Sequence, residues 1–232
     1  VTNPVFLCPD LEGDTVLLDG PEGRHAALVK RLRAGETVDL VDGAGTRVTG
    51  TVMTTTKDTV TVAVASRSLE PPPSPRLTVV QALPKGDRGE LAVELMTEVG
   101  VDAIVPWAAS RCIAKWTDKS LRRWRSTAQE AAKQSRRAWF PEVTEVASTA
   151  DVAGLAGQLL VLHEQAAIPL STVELSGDVV LVVGPEGGVT PDELAALGGT
   201  AVRLGPTVLR TSTAGAAAAS VISARTARWT PS

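Results

Sequence analysis

A chain of 232 residues fits one large domain or two modest ones; its 44% hydrophobic content supports a sizeable core that, with 3% aromatic residues and no Tyr, must rest on Val, Leu and Ala. Two distant cysteines, Cys8 and Cys112, exclude a disulfide framework and a zinc site, no apolar run approaches the roughly 18–20 residues of a membrane span, and no signal-peptide pattern opens the chain. A net charge of −3 excludes a uniformly basic nucleic-acid binder, so the expectation is a cytoplasmic protein with structural thiols, no metal and no membrane contact.

Residues 1–70 read as a β-rich module. Val16 to Leu18, Thr37 to Val41, Thr46 to Thr56 and Thr59 to Ser66 are rich in Val and Thr, with turns at Gly43-Ala44-Gly45 and Lys57-Asp58. Gly23 to Leu32 sets Ala26, Ala27, Val29 and Leu32 at roughly helical spacing. One helix among several short strands predicts a small barrel. The same stretch carries the basic cluster Arg24, His25, Lys30, Arg31 and Arg33. His25 is remote from the glycine loops described below and fits RNA contact or a helix end better than general-base chemistry. Glu70-Pro71-Pro72-Pro73-Ser74-Pro75 cannot continue a sheet ladder and predicts an extended spacer. Domains are therefore expected at 1–70 and 77–232, with a linker at 71–76.

The second domain opens with a strand, Leu77 to Leu83, a turn through Pro84-Lys85-Gly86-Asp87-Arg88-Gly89, a helix from Glu90 to Val99 stopped by Gly100, and a strand from Val101 to Trp107. This is a βαβ unit. Its turn lacks the G-x-G-x-x-G spacing of a dinucleotide fingerprint; Lys85 and Arg88 near a strand end suit phosphate contact and plain solvation alike. Between Arg111 and Arg137 nine Lys or Arg face two Asp or Glu, an excess of +7 that leaves −10 on the rest. Such a run reads as a solvated helix face or as a phosphate-tracking surface, and the first basic cluster favours the latter. Arg111, Lys115, Arg122 and Arg136 are its candidate nucleic-acid contacts. Asp118 to Ala138 is expected to form one long helix burying Leu121, Trp124, Ala128 and Ser135, with Trp116, Trp124 and Trp139 as packing anchors.

Leu159 to Leu162 reads as a buried strand whose end, Leu162, can floor a pocket. Val179 to Val183 is another, running straight into Gly184-Pro185-Glu186-Gly187-Gly188. A helix follows, with Thr190 as N-cap, Pro191 at N1, Glu193 at N3 and Gly198 as its stop. A further strand leads to Leu204-Gly205-Pro206-Thr207-Val208-Leu209-Arg210-Thr211-Ser212-Thr213-Ala214 and an Ala-rich helix from Ala214 to Arg228. A Gly-Pro-x-Gly-Gly turn alone is more often a tight connection than a site. Two Gly-Pro loops on one edge of an α/β sheet, the second carrying Arg210 followed by three hydroxyl residues, form the candidate site, because ligands bind at that edge.

These two loops together resemble the paired signature of the RsmE family, methyltransferases of the SPOUT class that methylate N3 of a uridine in 16S rRNA. Arg24-His25 through Arg33, Leu83-Pro84-Lys85-Gly86-Asp87-Arg88, Ser110-Arg111-Cys112 and Glu130-Ala131-Ala132-Lys133-Gln134-Ser135 match further ordered blocks, so the resemblance covers nearly the whole chain. One departure stands out: the family commonly carries Glu where this chain has Ser212. The resemblance implies an α/β fold with a C-terminal trefoil knot, a rare exception to ordinary connectivity, preceded by a PUA-like RNA-binding β-barrel. It also implies S-adenosyl-L-methionine as cofactor, 16S rRNA of the 30S subunit as partner and a homodimer, with the Ala-rich helix as a candidate contact.

The implied chemistry needs an electrophilic methyl donor, a held base and loss of the N3 proton. The donor's adenine and sulfonium are not phosphate-like, so the backbone of Gly184, Pro185, Glu186, Gly187 and Gly188 is expected to bond the adenine edge. Leu162, Leu204, Gly205 and Leu209 form the remaining walls. Arg210 is the candidate for stabilising the developing uridinate, and Glu186 accepts the proton or braces its loop. The rival readings are a methyltransferase for another rRNA or tRNA site, and a non-catalytic RNA-binding or ribosome-assembly factor.

Overall fold

The computed structural model describes residues 2–229 and divides into two compact units, one of residues up to Pro72 with Ala132–Phe140, the other of Pro73–Ala131 and the chain from Pro141. The first unit contains β1 (Val5–Leu7), β2 (Thr15–Leu18), α1 (Gly20–Arg24), a π-helical turn (His25–Val29), β3 (Thr37–Val41), β4 (Thr46–Thr55) and β5 (Val60–Leu69). Strand order is β1-β3-β4-β5-β2, parallel between β1 and β3 and antiparallel elsewhere. Alternation buries Val38, Leu40, Val48, Val52, Val60 and Val62 on one face, where Leu11, Ala26 and Leu32 complete the core. By its hydrogen bonds the expected barrel is an open sheet with β1 and β2 at its edges. Irregular register at Thr49/Gly50 and Val52/Thr54 bends the long hairpin. Gly50 is required there, because a Cβ would lie 2.4 Å from the Ala63 carbonyl oxygen.

The helical stretch differs from its sequence reading. It begins at Gly20 and widens after Arg24, with Lys30 N–H donating to the His25 carbonyl at 3.0 Å and Leu32 N–H to that of Ala26 at 3.1 Å. Arg31 then turns the chain at φ +54°.

Residues 132–140, assigned by sequence to the second domain, pack in the first unit. Lys133 Nζ meets Glu22 Oε1 at 2.6 Å with both side chains largely buried. The pair ties residues 132–140 to α1. Arg47 donates to the Arg136 carbonyl at 2.8 Å and Trp139 Nε1 to that of Glu70 at 3.0 Å. Trp139 also explains Gly45, whose Cβ would fall 2.7 Å from the indole.

The second unit contains β6 (Leu77–Ala82), α2 (Arg88–Glu98), β7 (Ala103–Trp107), α3 (Asp118–Gln134, its last three residues counted with the first unit), β8 (Glu142–Val143), α4 (Thr149–Ala153), β9 (Gln158–Leu162), β10 (Ile168–Pro169), β11 (Val179–Val183), α5 (Pro191–Leu197), β12 (Thr200–Arg203) and α6 (Thr211–Ala224). The expected helix from Asp118 to Ala138 stops at Gln134. Arg136 adopts φ +59°, its N–H bonds the Lys133 carbonyl, and the Arg137 N–H bonds that of Ala132. That is a Schellman cap with arginine in the place glycine usually holds.

All pairings in the second sheet are parallel, in the order β10-β12-β9-β11-β6-β7-β8. Near-continuous apolar strands follow from burial on both faces. Leu77, Val79, Val179, Leu181 and Ile104 join one core with Met96 of α2 and Ala218, Ala219 and Ile222 of α6. Val80, Ala82, Val180, Val182, Val105 and Trp107 join another with Val152 of α4 and Leu197 of α5. The Ala-rich helix begins at Thr211 rather than Ala214 and ends at Ala224. It lies close on the sheet because Gly215 has no side chain; a Cβ there would stand 2.9 Å from Met96 Sδ and 3.3 Å from Val79 Cγ1. Beyond α6, Arg228 donates to Asp102 Oδ2 at 2.7 Å and to the Pro75 carbonyl at 2.6 Å. No described helix is long and apolar enough to cross a membrane.

Candidate functional site

Because every strand of the second sheet runs the same way, the ends of β9, β11 and β12 share one edge, and the chain's order reverses there: β6 to β8 progress outward on one side, and β9 restarts on the other. A cavity of about 810 Å³ lies at this edge, within the usual range for small-molecule sites. Its walls are Leu162 to Gln165 after β9, Val183 to Val189 after β11 and Arg203 to Arg210 after β12, with Arg88, Thr211 and Ala214. The two Gly-Pro loops are thus neighbours across one slot. Every residue expected at the cofactor, Leu162, Gly184, Pro185, Glu186, Gly187, Gly188, Leu204, Gly205 and Leu209, lines it, as does Arg210.

The glycines of the first loop have reasons inside the chain. A Cβ on Gly184 would stand 2.7 Å from Val189 Cγ2, and one on Gly187 would stand 3.2 Å from Arg111 Cβ. Gly188 closes a turn at φ +75°, its N–H bonding the Pro185 carbonyl at 2.8 Å. Gly205 differs. It has no positive φ, and nothing lies within 4 Å of where its Cβ would be. The fold does not demand glycine there, and the position opens onto the cavity. A slot with apolar walls at Leu162, Val183, Leu204 and Leu209, main chain on two sides and room beside Gly205 fits a nucleoside-bearing cofactor.

The helix after the first loop is fixed by a full capping box: Thr190 Oγ1 accepts from Glu193 N–H, and the Glu193 carboxylate accepts from Thr190 N–H. That carboxylate also accepts the Ser110 N–H at 2.7 Å. Burial opposes its charge, but the bonds from Ser110 and Thr190 outweigh that and hold the carboxyl below its ordinary range. Arg203 donates to the carbonyls of Ala166 and Ala167, tying the β9 loop to β12.

The second loop is anchored from below. Gln81, fully buried at the end of β6 beside Val183, donates to the Ala82 carbonyl at 3.0 Å and to the Thr211 carbonyl at 3.3 Å. Its Oε1 is buried without a partner. Arg210 is the N-cap of α6, its carbonyl accepting from the N–H groups of Thr213 and Ala214, and its side chain is exposed. Ser212 is 1% exposed, its hydroxyl unpartnered and outside the cavity wall.

Of the expected RNA contacts, Arg24, Lys30, Arg31, Arg33 and Arg136 are exposed in the first unit, and His25 is half-buried, its ring edge-on to Phe6 with the ring centroids 6.2 Å apart. In the second unit Lys85, Arg111, Lys115 and Arg122 are exposed, while half-buried Arg88 joins the cavity wall. Sequence reasoning missed His163, Glu164, Gln165 and Arg203 in the wall, and Gln81 beneath it. The β9 end was legible, and extending it three residues would have found the first three. Gln81 was visible as a polar residue inside Val79-Val80-Gln81-Ala82. The two thiols are free, Cys8 buried and Cys112 half-buried, and burial raises both above their ordinary value.

A family model for an RNA methyltransferase domain matches residues 71–223, and one for an RNA methyltransferase PUA domain matches residues 18–65. The chain is 47% identical to the ribosomal RNA small subunit methyltransferase E of Mycobacterium tuberculosis over 94% of its own length and 89% of that protein. It is 30% identical to the protein of the same name from Bacillus subtilis, over 93% and 92%. The crystal structure of the Neisseria gonorrhoeae ribosomal RNA small subunit methyltransferase E bound to S-adenosyl methionine superposes with a TM-score of 0.87 at 29% identity, covering 97% of this chain and 98% of that one. A Legionella pneumophila methyltransferase with the same cofactor gives 0.86 at 28% identity, over 97% and 98%. With both domain models in order along the chain, this protein belongs to the ribosomal RNA small subunit methyltransferase E family.

Proposed function

We propose that the chain transfers the methyl group of S-adenosylmethionine to N3 of a uridine in the 16S rRNA of the small ribosomal subunit. The observation that carries this is the convergence of the two Gly-Pro loops on one cavity at the sheet edge, in a chain whose relatives bear that name. When bound, S-adenosylmethionine supplies an electrophilic methyl group on a sulfonium. The backbone of residues 184–188 holds the adenine edge, and Leu162, Leu204 and Leu209 exclude water from it. Uridine N3 is about as acidic as a phenol, so a cation beside it does much of the work. Arg210 occupies that place, at the N-terminus of α6 where the helix dipole adds to its charge. Glu186, exposed on the first loop, takes the N3 proton. Ser212 takes no part: it is buried, off the cavity wall, and not a base.

The exposed cations Arg24, Lys30, Arg31, Arg33 and Arg136 with His25, and Lys85, Lys115 and Arg122, contact RNA phosphate, with Arg88 at the cavity reaching the substrate strand. The SPOUT knot, with α6 as its threaded segment, is supported by the small residues Gly205 to Ala219 and by the close approach that Gly215 permits. A homodimer of knotted domains is supported by Val208 and Leu209, 76% and 40% exposed on the second loop. Most of α6 is buried within its own unit. Mass mapping of 16S rRNA from cells with and without the gene tests the activity. Loss of one 3-methyluridine is expected; retention of every 3-methyluridine, with or without loss of a methyl group elsewhere, would refute the substrate.

A further inference from the structure

Arg111 has a neighbour that its place in the basic run does not suggest. Its Nη1 donates to the Gly187 carbonyl at 2.6 Å. Its aliphatic stem lies along the same glycine, so that a Cβ on Gly187 would stand 3.2 Å from Arg111 Cβ and 3.3 Å from Cδ. A Cβ on Gly188 would stand 3.8 Å from Arg111 Nη1. Gly187 and Gly188 line the cavity and Arg111 does not, so the arginine backs the loop from its far side. One residue earlier, the Ser110 N–H grips Glu193, the carboxylate that starts the helix after the loop. Residues 110–111 therefore hold the first loop at two points, one on its glycines and one on the helix that follows.

We propose that Arg111 is a positioning residue that sets the Gly187–Gly188 backbone for the methyl donor, rather than a contact to RNA phosphate; this rests on the cavity being the S-adenosylmethionine site. Glycine loses more conformational freedom on ordering than any other residue, and Gly187 and Gly188, having no side chains of their own to pack, are restrained by a neighbour's. A guanidinium on a carbonyl gives a charge-assisted bond about twice as strong as a neutral one. The stem adds packing along the loop that a shorter residue lacks.

The test compares wild type, Arg111→Met and Arg111→Lys in S-adenosylmethionine titration calorimetry, in steady-state methyl transfer, and in RNA binding across a salt series. Arg111→Met keeps the stem and deletes the bond. It is expected to weaken donor affinity about tenfold, raising KM for the donor by a similar factor with kcat changed less than about twofold. Arg111→Lys restores a donor and should recover part of the loss. RNA affinity and its salt slope should stay as in wild type. Gly187→Ala, which pushes the Arg111 stem away, should act in the same direction as Arg111→Met. Undiminished donor affinity in Arg111→Met, with the salt slope of RNA binding reduced by about one, would overturn the proposal and make Arg111 a phosphate contact. Wild-type protein that does not bind the donor at all would sink the site assignment itself, a result separable from equal binding by wild type and variant.

Discussion

Replacing Gln81 with methionine keeps the length of a side chain that is 0% exposed and deletes both bonds it donates, at 3.0 Å to Ala82 and 3.3 Å to Thr211. Two neutral hydrogen bonds are worth about 2 kcal/mol together. The same change removes Oε1, buried without a partner, which returns about 1–3 kcal/mol. The terms nearly cancel, so unfolding in urea, followed by Trp fluorescence, should shift by no more than about 1 kcal/mol. Catalysis should not be spared. The Thr211 carbonyl is the bolt nearest Arg210, and a loosened Arg210 costs about tenfold in kcat when misplacement near an ångström can cost a hundredfold. Donor affinity should change less, about twofold, because the main chain of residues 184–188 is left as it was. Gln81→Glu, which buries a charge unable to donate, should instead destabilise by several kcal/mol. Wild-type kcat in Gln81→Met would refute the anchoring role, and a stability loss above about 3 kcal/mol would show that the orphan oxygen is not the liability inferred.

Gly205→Ala should fold like wild type, since nothing lies within 4 Å of the new Cβ, yet weaken S-adenosylmethionine binding in calorimetry; unchanged binding would mean the space is not used. Arg31→Gly and Arg136→Gly remove non-glycine residues from φ +54° and +59° and should each raise stability by about 1 kcal/mol while lowering RNA affinity in filter binding. Glu193 has its folded carboxyl held below its ordinary value of 4.5, so its contribution is complete above that value and is lost as pH falls through the folded one. Glu193→Gln should therefore flatten the acid limb of a stability-versus-pH curve below about 4.5 and leave a uniformly less stable protein above it; an unaltered acid limb would remove Glu193 from the account of the loop.

Much of the second unit was legible because its strands are apolar runs bounded by Gly and Pro and its α5 helix carries both cap residues. Thr190, Glu193 and Gly198 act as the sequence suggested, Gly198 stopping the helix at φ +63°. The misses share a cause: local pattern cannot show where tertiary contact takes over. Helix α3 stops early because Arg136, not a glycine, accepts the left-handed position, held by the Arg47 bond to its carbonyl. The last turn of α3 and the residues after it, Ala132–Phe140, join the first unit through Lys133–Glu22 and Trp139–Glu70, pairs more than 60 positions apart in sequence that no composition shift marks. β1, β8 and β10 are two or three residues long, too short for a period to register. At the site, the glycines were read as bare main chain open to a ligand. Space is open where a Gly205 Cβ would be, whereas a Cβ on Gly184 would stand 2.7 Å from Val189 Cγ2 and one on Gly187 would stand 3.2 Å from Arg111 Cβ.

A structure of the protein crystallised with S-adenosylmethionine is the most direct test. The donor is expected in the slot at the ends of β9, β11 and β12, its adenine against the main chain of residues 184–188 and its methyl group turned toward Arg210. Density for the donor at any other place, with this slot still open, would contradict the account.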